Sequence, residues 1–104
     1  MKYSKPLVLL GLLFVFACKS PLDKHAAHYR EHQDAASLKE VVKLFPQGAD
    51  TTQVRKLLGE PIDFGFDYRY LTEELSEDNC AMGAVFHIDE AGKIDDFWYG
   101  AICE

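Results

Sequence analysis

The apolar positions change their spacing along the chain, and each change predicts a different element. Residues 7–16 (LVLLGLLFVF) form an unbroken apolar run. That run is too short to cross a bilayer as a helix, which takes about 20 residues. Further on, Leu38, Val41, Val42 and Phe45 recur at i, i+3, i+4 and i+7, the apolar stripe of a helix over 37–45. Ser37 and Glu40 have capping-box spacing, and Pro46 and Gly48 stop the helix. A second helix is expected over 51–58, with Asp50 as N-cap, Gln53 three residues on, and Val54, Leu57 and Leu58 facing inward. Gly59 caps its end and Pro61 prevents continuation.

The period then drops to two. Ile62, Phe64, Phe66, Tyr68 and Tyr70 alternate with Asp63, Gly65, Asp67 and Arg69, a half-buried strand with one wholly apolar face. Residues 72–79 read as an acidic loop. Two further strands, 80–88 and 94–102, are joined by 89–93, where Gly92 suits the positive φ of a type I turn with a bulge. The expected fold is α+β, ααβββ: two short helices packed on one face of a three-stranded antiparallel sheet. Residues 1–17 read as a signal peptide, 18–36 as a polar tether, helical in part or not, with too few apolar positions to pack, and 37–104 as one domain.

The start of the chain carries its own chemistry. Lys2 and Lys5 precede the apolar run and Ala17 follows it, the make-up of a secretory signal. Val15-Phe16-Ala17-Cys18 resembles the bacterial lipobox, with Phe16 larger than the usual residue. That resemblance implies cleavage before Cys18 and acylation of Cys18. Several acyl chains would give a stable lipid anchor to the membrane. Lys19 after Cys18, in place of Asp, resembles an outer-membrane address facing the periplasm. The alternative is plain secretion with Cys18 as a free thiol.

Charge is divided unevenly. From Cys18 to Gly59 seven Lys/Arg meet five Asp/Glu, whereas from Glu60 to the end two meet twelve. The acidic second half argues against nucleic acid as a partner, because phosphate binding relies on Lys and Arg. It suits a domain held off an anionic membrane, or one that meets a basic protein patch.

Phe45-Pro46-Gln47-Gly48, followed by Asp50-Thr51-Thr52-Gln53-Val54-Arg55-Lys56-Leu57-Leu58-Gly59-Glu60-Pro61, resembles the SmpA/OmlA (BamE-like) lipoprotein domain. The resemblance covers about 38–102 and implies two helices, an aromatic-rich strand and a hairpin. It also implies a non-catalytic accessory role at the outer membrane, in β-barrel assembly or envelope integrity, with a protein partner. The same pattern is similar to the β-lactamase-inhibitory-protein fold, which leads to a second reading: an inhibitor or immunity-type protein that binds a specific enzyme.

Cys80 and Cys103 are the remaining cysteines. A secreted context favours pairing, worth about 3 kcal/mol in the chain-entropy model. Their register is the difficulty. A directly opposed pair needs position numbers summing to 183, whereas the 89–93 turn sets a sum of 182 and puts them on opposite faces. A bulge near Gly100 or fraying at Cys103 would reconcile the two; free thiols and a metal site stay open.

His25, His28 and His32 would share one helical face, the convergence a metal needs, though a solvated tether accounts for them equally. His87 reads as structural. Asp95 and Asp96 point to opposite faces of a strand, and Glu73-Glu74 reads as solvated surface. No nucleophile motif or phosphate-binding glycine loop occurs, so neither an enzyme nor a cofactor is expected. Phe97, Trp98 and Tyr99 are more informative, because three consecutive strand residues cannot all face inward. Either Trp98 or the Phe97/Tyr99 pair faces away, as a candidate partner-binding surface unless loop 72–79 or the tether covers it.

Overall fold

The computed structural model describes residues 20–103; the signal segment and Cys18 lie outside the described residues. Three helices, α1 (Pro21–His32), α2 (Ala35–Leu44) and α3 (Thr51–Leu58), precede four strands, β1 (Ile62–Asp63), β2 (Asp67–Leu75), β3 (Ala81–Ile88) and β4 (Ile94–Ile102). The strands form one antiparallel sheet in the order β1-β2-β3-β4. The class is α+β, with one helix and one strand more than the ααβββ reading.

The additional helix corrects the view of 18–36 as an unpacked tether. Ser20 accepts the Asp23 N–H, and Pro21 sits in the first turn, where a missing N–H costs nothing. Leu22, Ala26 and Tyr29 make a sparse inward stripe, and Ala26 and Tyr29 are buried. One large aromatic does most of the packing. The Tyr29 hydroxyl donates to the Leu71 carbonyl at 2.6 Å, and its ring meets Tyr70 edge-on.

α2 starts earlier than its apolar stripe suggests. Asp34, not Ser37, is the N-cap and accepts the Ser37 N–H; Ser37 is buried in the first turn. A carboxylate also gains from the positive end of the helix, so it outcompetes a hydroxyl for this position. Burial alone would push the Asp34 pKa up, but hydrogen bonds from the Ser37 side chain and backbone and from His28 outweigh it, leaving it at about 2. Asp34→Ala is therefore expected to cost about 1 kcal/mol at neutral pH. Because the folded pKa lies below the unbound value of 3.8, that contribution is complete above it and disappears as pH falls through about 2. Urea melts at neutral pH and at the acid end check this: a wild-type advantage undiminished by acid contradicts the assignment.

α3 has the cap read from its sequence. Asp50 accepts the Gln53 N–H, Gln53 returns a bond to the Asp50 N–H, and Gly59 closes the helix at φ 86°. The stretch 62–70 is not one strand. Gly65 at φ 86° turns the chain, Asp63 Oδ1 accepts its N–H at 2.8 Å, and the Phe64 N–H reaches the Asp67 carbonyl at 3.1 Å. Alternating residues around a tight turn carry the same period as an unbroken strand, which hides the break. β2 in turn runs through Leu75, so much of the expected 72–79 loop is strand.

The β3–β4 connection follows the sequence reading. The Gly92 N–H bonds to the Asp89 carbonyl, the Asp89 N–H to the Lys93 carbonyl, and Gly92 has φ 80°. Ile88 faces Ile94, but the next pair is His87 with Asp96, so Asp95 is an extra residue. This bulge beside the turn, rather than one near Gly100, moves the register from a sum of 182 to 183. Cys80 and Cys103 then lie opposite each other and are bonded, with Cα atoms 5.1 Å apart.

The inner face carries the rows Tyr68–Phe86–Phe97 and Tyr70–Ala84–Tyr99. Phe86 is fully buried at the centre, edge-on to Phe45 at 5.0 Å and to Tyr70 at 5.9 Å, and stacked with Phe97 at 6.0 Å. Leu38 and Val41 from α2 and Val54 and Leu58 from α3 close the core above it.

Candidate functional site: the open face of the sheet

Residues directly opposed across a sheet share a face, so the pairings identify what the helices leave uncovered. Ile62, Arg69, Val85 and Trp98 form one row across all four strands on the outer face. Leu71, Gly83 and Gly100 form the next, and Leu75, Ala81 and Ile102 a third. Large apolar side chains stand exposed there: Ile62 at 45%, Trp98 at 44% and Leu75 at 60% of their full area, with Phe64, 44% exposed, against Arg69; Phe66, at 57%, is exposed next to Phe64. Val85, between Arg69 and Trp98, is buried by its neighbours.

This surface is held in place. The Arg69 guanidinium lies 4.4 Å from the Phe64 ring centroid and bonds to the buried Asp67 carboxylate at 3.3 Å. Phe64 and Phe66 sit with centroids 6.4 Å apart, on either side of the Gly65 turn. The centre of the sheet is flat, because Gly83 and Gly100 face each other on adjacent strands. At one end lies the polar row Asp67–His87–Asp96. The His87 Nδ1 meets Asp95 Oδ1 at 2.7 Å; that hydrogen bond raises the histidine pKa above its ordinary value, against a smaller pull from burial.

The three aromatics singled out in the sequence divide between the two faces. Trp98 faces outward. Phe97 packs on Phe45 at 5.0 Å, and Tyr99 turns inward, donating to Glu74 Oε1 at 2.6 Å beneath Lys39. Phe97 and Tyr99 thus belong to the core side, and the other exposed aromatics are Phe64 and Phe66, at the β1–β2 turn on the far side of the sheet. The sequence reading placed Phe64 and Phe66 in the core. The signal that would have found them is Asp63-Phe64-Gly65, an Asx residue and a glycine bracketing a tight turn.

His25, His28 and His32 lie on α1, where His28 and His32 rings are 4.4 Å apart. Among the described residues no group of three His, Cys, Asp or Glu side chains could hold a metal. Ser37 Oγ and Asp34 Oδ1 both meet His28 Nδ1, each at 2.8 Å. A proton relay needs the two partners on opposite ring nitrogens, so this cluster is a helix cap and not a nucleophile triad. Between the helices lies an open groove lined by Leu22, Arg30, Phe45, Lys56 and Leu57, in which Arg30 is already bonded to the Leu57 carbonyl.

Comparison of the chain with family models, with curated proteins and with solved structures finds no match.

Proposed function

We propose that this chain is a non-catalytic envelope lipoprotein that binds a protein partner through the open face of its sheet, held at the membrane by an acylated Cys18. The observation that carries the proposal is the exposure of Ile62, Phe64 and Trp98 on the face that the helices leave uncovered. Contiguous apolar patches of this kind mark interaction sites, and Trp and Arg are the side chains most often found at their energetic centres. The basic start, short apolar run and lipobox-like Val15–Cys18 stretch support the anchor. The resemblance to the SmpA/OmlA domain favours a role in outer-membrane assembly or integrity.

The test is mild cross-linking and pull-down of the tagged full chain from its native membrane. Trp98→Ala and Phe64→Ala remove half-exposed side chains and are expected to cost about 1 kcal/mol of stability or less. Each is expected to weaken capture of an envelope protein by at least about tenfold, the effect of losing an interface anchor. A partner held equally by both variants would remove the open face from the reading. Mass spectrometry of the mature protein checks the anchor independently, since an unmodified Cys18 contradicts it.

A further inference from the structure

The two edges of the sheet are unlike. β1 offers two residues, whereas β4 offers nine. Natural sheets blunt exposed edges with short strands, proline, lysine or bulges, because a bare row of N–H and C=O groups recruits another strand. Among the described residues, β4 has such protection only at its start. There Asp95 forms the bulge, and the segment 49–51 lies alongside: the Ile94 N–H bonds to the Ala49 carbonyl at 2.7 Å and the Thr51 N–H to the Gly92 carbonyl at 3.3 Å. The rest, Phe97-Trp98-Tyr99-Gly100-Ala101-Ile102, has no charge and no proline.

The direction of its backbone groups follows from one bond. The Ile88 N–H bonds to the Phe66 carbonyl, on the β2 side. Hydrogen-bonding direction alternates along a strand, so His87, Val85, Gly83 and Ala81 face β4 and pair with Asp96, Trp98, Gly100 and Ile102. Phe97, Tyr99 and Ala101 therefore turn their N–H and C=O groups outward. Phe97 bears this out, since its N–H bonds to the Asp96 side chain at 2.9 Å instead of to β3.

We infer that the outer edge of β4, from Phe97 to Ala101, is a docking site for an extended strand of a partner protein, and that this strand is apolar where it lies beside Trp98 and Gly100 and basic at the end that reaches Asp95 and Asp96. The inference rests on the protein-binding reading and adds to it where the partner docks and what it is made of. Charge selects the occupant. Asp95 and Asp96 stand at the head of the edge, and from Glu60 onward two cations face twelve acids. One of the two, Arg69, is already bonded to Asp67. An incoming strand would continue the line of the 49–51 segment. It would take the Phe97 N–H from Asp96 and leave that carboxylate to meet a lysine or arginine. Its apolar side chains would extend the Ile62–Arg69–Val85–Trp98 row. A second copy of this chain fits less well, because it brings a second acidic sheet to the first.

The probe is a short synthetic valine-rich peptide with lysines at one end, added to the full chain in mild detergent, with amide exchange read residue by residue. Slowed exchange at Tyr99 and Ala101 is expected, and N-methylation of alternate peptide amides should abolish it. Asp95→Asn with Asp96→Asn should weaken affinity by about threefold to tenfold and flatten its salt dependence. Ala101→Pro removes an outward N–H that β3 does not use and should block binding; if that variant fails to fold, the methylated peptide still decides the matter. Equal binding of the methylated peptide, or no binding of either, overturns the edge site. Chemical-shift changes at Phe64 and Trp98 with unchanged exchange at Tyr99 and Ala101 also overturn it, while leaving the open-face reading intact. Protection of the edge in the absence of peptide, together with a dimer in sedimentation, assigns it to a second copy and overturns the basic partner.

Discussion

Gly83→Ala is expected to destabilise the protein by about 3 kcal/mol or more, although it adds a single methyl group. An ideal Cβ at position 83 would lie 2.1 Å from the Tyr70 carbonyl oxygen and 3.0 Å from the Leu71 Cα. Both are backbone atoms, so no side chain can rotate away to make room. Relief requires β2 to move, and β2 is tied on its inner face. The Tyr70 ring packs on Phe86 and Tyr29, and its hydroxyl donates to the Gly59 carbonyl at the end of α3. A small domain has about 5–15 kcal/mol in total, so this loss is a large fraction of it. The urea midpoint should fall by about 2–3 M, on a slope of about 1–1.5 kcal/mol per molar. A change below about 1 kcal/mol would mean that the irregularity between Leu71 and Leu75 lets β2 back away, and the close approach at Gly83 would then carry no structural weight.

Removing the disulfide is the other large effect. Cys80→Ser with Cys103→Ser is expected to cost about 3 kcal/mol, from the loop closed by a separation of 23 residues. The bond also fixes the far end of the β3–β4 hairpin, where Ala81 pairs with Ile102 beside it. Reduction of the wild type should therefore give the same urea midpoint as the double variant. It should also speed amide exchange at the Cys80–Cys103 end of the hairpin more than at the Gly92 turn, whose own hydrogen bonds persist. Two free thiols in the non-reduced mature protein would contradict the pairing.

The sequence determined the elements whose signals are local. Asp50 and Gln53 cap α3, Gly59 and Pro61 end it, and Gly92 closes the β3–β4 turn; each acts within a few residues, so its effect does not depend on the rest of the fold. The stripe Leu38, Val41 and Phe45 was legible for the same reason, since a helix presents it whatever it packs against. α1 was not legible. Its anchor, the Tyr29 hydroxyl on the Leu71 carbonyl, joins residues 42 apart, and its stripe contains an alanine where a large side chain would have drawn notice.

The open face depended on tertiary structure most of all. The alternation from Ile62 to Tyr70 is common to an unbroken strand and to a hairpin folded at Gly65, and the second puts Ile62, Phe64 and Phe66 in solvent. The side taken by Trp98 was settled by one residue. In the register set by the turn alone, a sum of 182 would place Trp98 against Ala84 on the helix-covered face. The bulge at Asp95 makes the sum 183, so Trp98 opposes Val85 on the open face, and the same shift aligns Cys80 with Cys103. Adjacent strand residues point to opposite faces, so a slip of one position exchanges inside for outside. Composition and period do not contain that slip; it is set where a turn at one end of the hairpin meets a disulfide at the other.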